Sequence, residues 1–184
     1  MSLIVGYANK DNAIIMSDGR AGKNGCLSEH YNKTLKINDN IILGFAGFAE
    51  PVKTFTDHMI NQMGDGVSSY FINDFWELII FLSEDEETQE HLKSSFVIIG
   101  RNNQGQMYTS IIGKSTEYKL NYSYVESPRI VSIGGTIDAE TIKTIYGNNI
   151  MQYDLPVKTR MENTIKEVAA LDNSVNTNFS VVSI

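Results

Sequence analysis

The chain has 184 residues, 42 % hydrophobic and 20 % charged, enough for one sizeable core and short for two, so residues 1–184 read as a single domain. Its 22 acids against 15 bases give a net charge of −7, where a nucleic-acid binder would show a basic excess. The one cysteine, Cys26, excludes an internal disulfide and fits a reducing cytoplasm, and no run reaches the roughly 18 apolar residues a membrane span needs.

Residues 3–8 and 12–17 are rich in Ile, Val and Tyr, with a polar turn between them. Their sustained apolar content predicts a hairpin covered on both faces. Gly19, Gly22 and Gly25 mark a loop. Alternation at 34–37 predicts a third strand, and Ile41 to Ala46 a fourth. The first 47 residues therefore read as four antiparallel strands.

The period then changes. Val52, Phe55, Met59 and Met63 recur at spacings of three and four, one face of a helix, with Pro51 suited to its first turn and Gly64-Asp65-Gly66 ending it. A second helix is predicted from Asn73, a good cap, through the apolar run 75–82. Strands follow at 96–99 and 107–112, with another over 118–125, and Ile130-Val131 leads on to a glycine pair. Gly134-Gly135 precede a helix near 138–146. Pro156 opens the last helix, with Val157, Met161, Ile165 and Val168 in register, and a strand over 179–184 closes the chain. Helices come in pairs rather than one per strand, which argues against a parallel βαβ sheet. Two antiparallel sheets with helix pairs outside them fit the order.

Most familiar catalytic patterns are missing. Gly113-Lys114-Ser115 ends like a phosphate loop, but Tyr108 stands where the first glycine belongs. His30, His58 and His91 lack ligand spacing, so no metal site is expected. The acidic run Glu84-Asp85-Glu86-Glu87 reads as a solvated helix end or loop. One candidate remains. If Met1 is removed, Ser2 carries a hydroxyl and a free α-amine, whose ordinary pKa of about 7.7–8 lets it act as a base. Such a site needs a fixed cation, a carboxylate to hold it, and a backbone N–H for the oxyanion. Lys33, Asp18 and Gly47 each lie at the edge of a predicted strand or turn. The competing reading makes Ser2 a plain polar end and Lys33 and Asp18 surface charges.

These residues fall into a recognisable pattern. Ser2-Leu3-Ile4-Val5-Gly6, then Asp18 with Arg20 and Ala21, Lys33 before an alternating strand, Ala46-Gly47, Gly134-Gly135, and Asp172 followed by Thr177-Asn178 occur in one order. The chain resembles the proteasome β-type and HslV family of N-terminal-nucleophile hydrolases over essentially its whole length. The resemblance implies an α+β fold, a four-layer αββα sandwich of two antiparallel sheets, and hydrolysis of polypeptide substrates inside a ring of identical subunits. Ser2 would be nucleophile and base, Lys33 would tune its amine, Asp18 would orient Lys33, Gly47 would supply the oxyanion N–H, and Asp172 would help order the N-terminus. Ala21, Tyr31, Phe45, Ala49 and Lys53 would line the substrate pocket. A ring-shaped AAA+ unfoldase ATPase is the implied partner, with neither nucleic acid nor membrane. The family also suggests a structural cation on the loop from Asp172 to Thr177, and no other cofactor. Four positions depart from the family, one being Val175, where proteasome subunits carry a serine although HslV is aliphatic there. Serine replaces threonine as nucleophile, Leu3 replaces a second threonine, and Ile133 stands where many members carry a serine near the N-terminal amine. A non-catalytic assembly or binding subunit of the same fold is the alternative.

Overall fold

The structure is a computed structural model that describes residues 2–22, 28–47, 49–83, 94–113, 116–117 and 119–184. Cys26, the acidic run 84–87 and the Lys114-Ser115 pair lie outside the described residues.

Strand alternation decides the architecture. In β1 (Leu3–Ala8), Leu3, Val5 and Tyr7 point to one face, and Ile4 and Ala8 to the other. In β4 (Ile41–Ala46), Ile41, Leu43 and Phe45 likewise part company with Ile42 and Ala46. Both strands are buried throughout, so each face must be covered.

Three apolar clusters do this. The middle one holds Ile4, Ala8 and Ile15 against Ile42, Ala46, Val97 and Ile99, and binds two sheets face to face. One sheet runs β8-β1-β2-β9 and the other β3-β4-β5-β6-β7, and every strand pairing is antiparallel. The remaining strands are β2 (Ala13–Asp18), β3 (Thr34–Lys36), β5 (Ser95–Arg101), β6 (Met107–Ile112), β7 (Asn121–Tyr124), β8 (Arg129–Gly134) and β9 (Phe179–Ser183). Outside the five-stranded sheet lie α1 (Ala49–Met63) and α2 (Ile72–Ser83), where Met59, Met63, Phe75, Trp76 and Ile79 meet Leu43, Phe45 and Ile98. Outside the four-stranded sheet lie α3 (Ala139–Ile150) and α4 (Val157–Leu171), which place Ile142, Tyr146, Met161, Ile165 and Val168 on Leu3, Val5 and Met16. The result is the expected four-layer αββα sandwich.

The four strands of the first 47 residues are antiparallel as expected and divide between the sheets, β1 and β2 in one and β3 and β4 in the other. Several local expectations need correction. Asn73 lies inside α2 rather than capping it, and the Asp74 carboxylate accepts the Phe71 N–H at 2.8 Å instead. A 3₁₀ helix occupies Gly64–Ser69, where the sequence predicts only a stop. Helix α3 runs on to Ile150, four residues past its predicted end. Arg160 secures that end by donating to the carbonyls of Ile150 at 2.9 Å, Leu155 at 2.6 Å and Tyr153 at 3.3 Å. Trp76 is buried against β6, donates to Ser110 Oγ at 2.7 Å, and stacks on Tyr122 of β7 with centroids 4.3 Å apart.

Gly44 sets how closely the sheets approach. A Cβ there would stand 2.7 Å from both Ile15 Cγ2 and Ile4 Cγ2. Gly44→Ala is therefore expected to overpack the inter-sheet core and cost about 1–3 kcal/mol. Urea unfolding checks this: the midpoint should fall with the slope unchanged.

Candidate active site

Strand pairing brings the start of β1 to the ends of two other strands. Leu3 lies opposite Gly134 of β8, and Ile4 opposite Ser17 of β2. Leu3 therefore sits beside Asp18 and Ser2 beside Gly135, and Ser2 is only 5 % exposed. Its carbonyl accepts the Gly135 N–H at 2.9 Å. Gly134 has φ +92°, and a Cβ on it would lie 1.7 Å from the Ser2 oxygen, so no side chain fits there. The Ala46 methyl lies 3.4 Å from that same point, which brings the end of β4 to the chain's first residues.

Asp18 ends β2 and is fully buried. Its Oδ1 accepts the Leu3 N–H at 2.9 Å and the Lys33 ammonium at 2.8 Å, and its Oδ2 accepts the Arg20 N–H at 3.0 Å. Lys33 is itself 2 % exposed, so the two charges are a buried ion pair and not surface groups. One oxygen joins the ammonium to the amide one residue beyond Ser2. Gly47 follows β4 at φ +144°, and a Cβ on it would meet Ser94 Oγ at 2.6 Å.

Asp172 caps the end of α4. It accepts from the Thr136 backbone N–H, from Thr136 Oγ1 at 2.7 Å and from the Ser174 N–H at 2.8 Å. Burial pushes its carboxyl pKa up, but hydrogen bonds from Ser174 and Thr136 outweigh this and hold it well below the usual carboxylate range. Thr136 follows Gly135, so the Asp172 carboxylate fixes the turn that grips Ser2.

Ile133 lies opposite Ile4, with its side chain among the apolar residues between the sheets. The residue beside Ser2 is Gly135, where a Cβ would stand 3.4 Å from Asp172 Oδ2. The hydroxyl that does reach Asp172 is that of Thr136, the next residue.

Of the expected pocket residues, Tyr31 and Phe45 meet edge to face with centroids 6.4 Å apart. Ala21 exchanges backbone hydrogen bonds with Ser28 at 2.9 and 3.2 Å. Ala49 and Lys53 lie in the first turns of α1, and their side chains lie outside the described residues. On the loop after Asp172, the Asn173 carbonyl accepts from the Arg20 guanidinium, and the Asp172 carbonyl accepts the Val175 N–H at 3.0 Å. A cation bound there would compete with that guanidinium. Among the described residues no three His, Cys, Asp or Glu side chains cluster as metal ligands.

Glu29, Thr136 and Asn176 also bind the loops around the site, and sequence reasoning missed them. Asn176 Oδ1 accepts the Gly19 N–H at 2.8 Å, and its Nδ2 donates to the Glu29 carbonyl at 2.9 Å. Glu29 pairs with Arg20 at 3.2 Å. Short polar residues in loops give no periodic signal. Only the position of Thr136 straight after Gly134-Gly135 hinted at a role.

Two stability predictions follow from these contacts. Lys33→Met leaves the Asp18 carboxylate buried without its counter-charge, and should cost about 3–5 kcal/mol in chemical denaturation. The Asp172 contribution should be complete above the unfolded carboxyl's pKa of about 3.9 and fade as pH falls toward the depressed native value. In urea titrations at several pH values, Asp172→Asn should be less stable than wild type at neutral pH, and the gap should shrink below about pH 4.

Residues 2–65 match the family model described as "Proteasome subunit". No curated protein sequence matches the chain. Among solved structures, HslV from Trypanosoma brucei is similar at 17 % identity, with 98 % of each chain covered and a TM-score of 0.73. The Anbu complex from Pseudomonas aeruginosa is similar at 15 % identity, covering 99 % of this chain and 80 % of that one, with a TM-score of 0.71. Residues 2–65 are thus similar to a proteasome subunit, and the fold over the whole chain is similar to that of HslV.

Proposed function

We propose that this chain is an N-terminal-nucleophile peptidase that cleaves polypeptides as one subunit of a ring-shaped chamber. The observation that carries the reading is the buried Asp18 oxygen shared by the Lys33 ammonium and the Leu3 N–H. It puts a fixed positive charge beside the residue that becomes the N-terminus once Met1 is removed.

In this reading the Ser2 hydroxyl attacks the scissile carbonyl and passes its proton to its own α-amine. Like-charge repulsion from Lys33 disfavours protonation of that amine, and so keeps it available as a base. The Gly47 N–H faces the oxyanion. The intermediate collapses to an acyl-enzyme ester, and the leaving amine takes the proton back. Water then hydrolyses the ester with the same amine as base. Asp172 holds the 134–136 turn and so positions Ser2. Ala21, Tyr31, Phe45, Ala49 and Lys53 line the substrate pocket, with the Tyr31–Phe45 pair giving it an aromatic wall. Rings of identical subunits in the cytoplasm, fed by an AAA+ unfoldase, complete the proposal. Assembly is supported by the likeness of residues 2–65 to a proteasome subunit and by the similar fold of the Anbu complex, which forms a helical assembly. Among the described residues no helix is long and apolar enough to cross a membrane.

A second reading, a non-catalytic subunit that keeps the fold for assembly, is favoured by one observation: Ile133, which stands where many members of the resembled family carry a serine, has no hydroxyl and packs between the sheets.

Hydrolysis of fluorogenic peptides by protein of verified intact mass decides between them. The form lacking Met1 should cleave, and the form retaining it should not. Ser2→Ala should lower kcat/KM on the order of 10²–10⁴-fold or more without lowering Tm. Equal activity in Ser2→Ala would sink the peptidase reading.

A further inference from the structure

We propose that Asn176 is a positioning residue whose side-chain amide sets the Asp18 carboxylate, and through it the Lys33 charge beside Ser2. This rests on the peptidase reading. No sequence motif assigns Asn176 a role, yet it is 8 % exposed and bonds at both ends.

Asp18 is held from two directions. Its oxygens engage Lys33, Leu3 N–H and Arg20 N–H. The direction in which the side chain leaves β2 depends on the peptide that follows, at Gly19. Both polar groups of Gly19 are taken. Its N–H donates to Asn176 Oδ1 at 2.8 Å, and its carbonyl accepts the Tyr31 N–H at 2.7 Å. Asn176 therefore terminates the strand that carries the acid.

The same amide binds the opposite wall. Asn176 Nδ2 donates to the Glu29 carbonyl at 2.9 Å, and Asn178 Nδ2 donates to the same oxygen at 2.8 Å. Asn178 N–H returns to Asn176 Oδ1 at 3.3 Å. The packing leaves no slack: a Cβ on Gly19 would stand 2.5 Å from the Glu29 oxygen and 3.0 Å from Asn178 Cβ. The segment 28–33 leads straight to Lys33. One amide thus links the turn after the acid to the segment that delivers the base's cationic neighbour. Removing it frees both ends of the Asp18–Lys33 pair without touching either residue.

The test uses Asn176→Ala in the full chain lacking Met1, with Asn176→Ser in its place should the alanine variant not fold. Asn173→Ala, on the same loop, is the control, because Arg20 binds only the backbone carbonyl of Asn173. The expected result is a fall in kcat of about 10- to 100-fold with KM little changed. The acid limb of the kcat/KM profile should move up by about half a pH unit or more, since a displaced ammonium no longer depresses the amine's pKa. The Leu3 backbone amide, followed by NMR hydrogen exchange, should exchange about tenfold faster or more as its bond to Asp18 loosens. A lower Tm with the acid limb and the Leu3 amide both unmoved would overturn the proposal, leaving Asn176 a loop staple. Absence of Ser2-dependent hydrolysis in wild type would overturn the peptidase reading instead. The Leu3 amide would still show whether Asn176 places Asp18.

Discussion

A buried lysine and a buried aspartate sharing one oxygen with a strand's leading amide constrain this molecule more than any other contact. Taking both charges out of water is costly, and their attraction offsets that cost only with good geometry and further hydrogen bonds. Here the geometry is supplied: Asp18 accepts three donors, and Lys33 is 2.8 Å away. Such a pair is poor evidence of stability for its own sake. Apolar side chains of similar volume would hold these strands together as well. What the pair supplies is a positive charge at a fixed place, and the surrounding loops are arranged to keep it there.

The sandwich explains how residues 15 apart in sequence come to one point. Strand β1 is central in its sheet, with β2 on one side and β8 on the other, so its first residue meets the ends of both. The crossing from β2 to β3 carries the chain into the second sheet, and Lys33 sits at the end of that crossing, facing back. The αββα layering therefore places the amino end of β1 where both sheets and two loops converge. A long apolar strand there also keeps water from the ion pair, which raises the value of every charge nearby.

Much of this is legible in the residues. The alternation in Ile41 to Ala46 and the paired helical patterns give the layers, and Asp18, Lys33 and Gly47 stand at strand ends because the strands are unmistakable. The division of the first four strands between two sheets was not legible. Strand-pairing partners depend on where the 19–33 crossing leads, and its composition says only that it is a loop. Asn73 misled as a cap because Asp74, next to it, is an equally good acceptor, and local propensity does not choose between them. Asn176 and Thr136 escaped because single polar side chains acting over long sequence distances leave no period. The resemblance places Ile133 where many members carry a serine near the N-terminal amine, and in this chain strand register turns its side chain into the inter-sheet core.

Trp76 is the sole tryptophan of the chain. It lies in α2, stacked on Tyr122 and tied to Ser110, at the outer side of the five-stranded sheet. Its fluorescence accordingly watches a single outer layer of the sandwich. Detachment of α2 would change the emission at once, while loosening of α3 and α4 over the opposite sheet would pass unseen. An emission curve that separates from far-ultraviolet circular dichroism would therefore mean that the two helical layers come away at different points, and would name the one that leaves first.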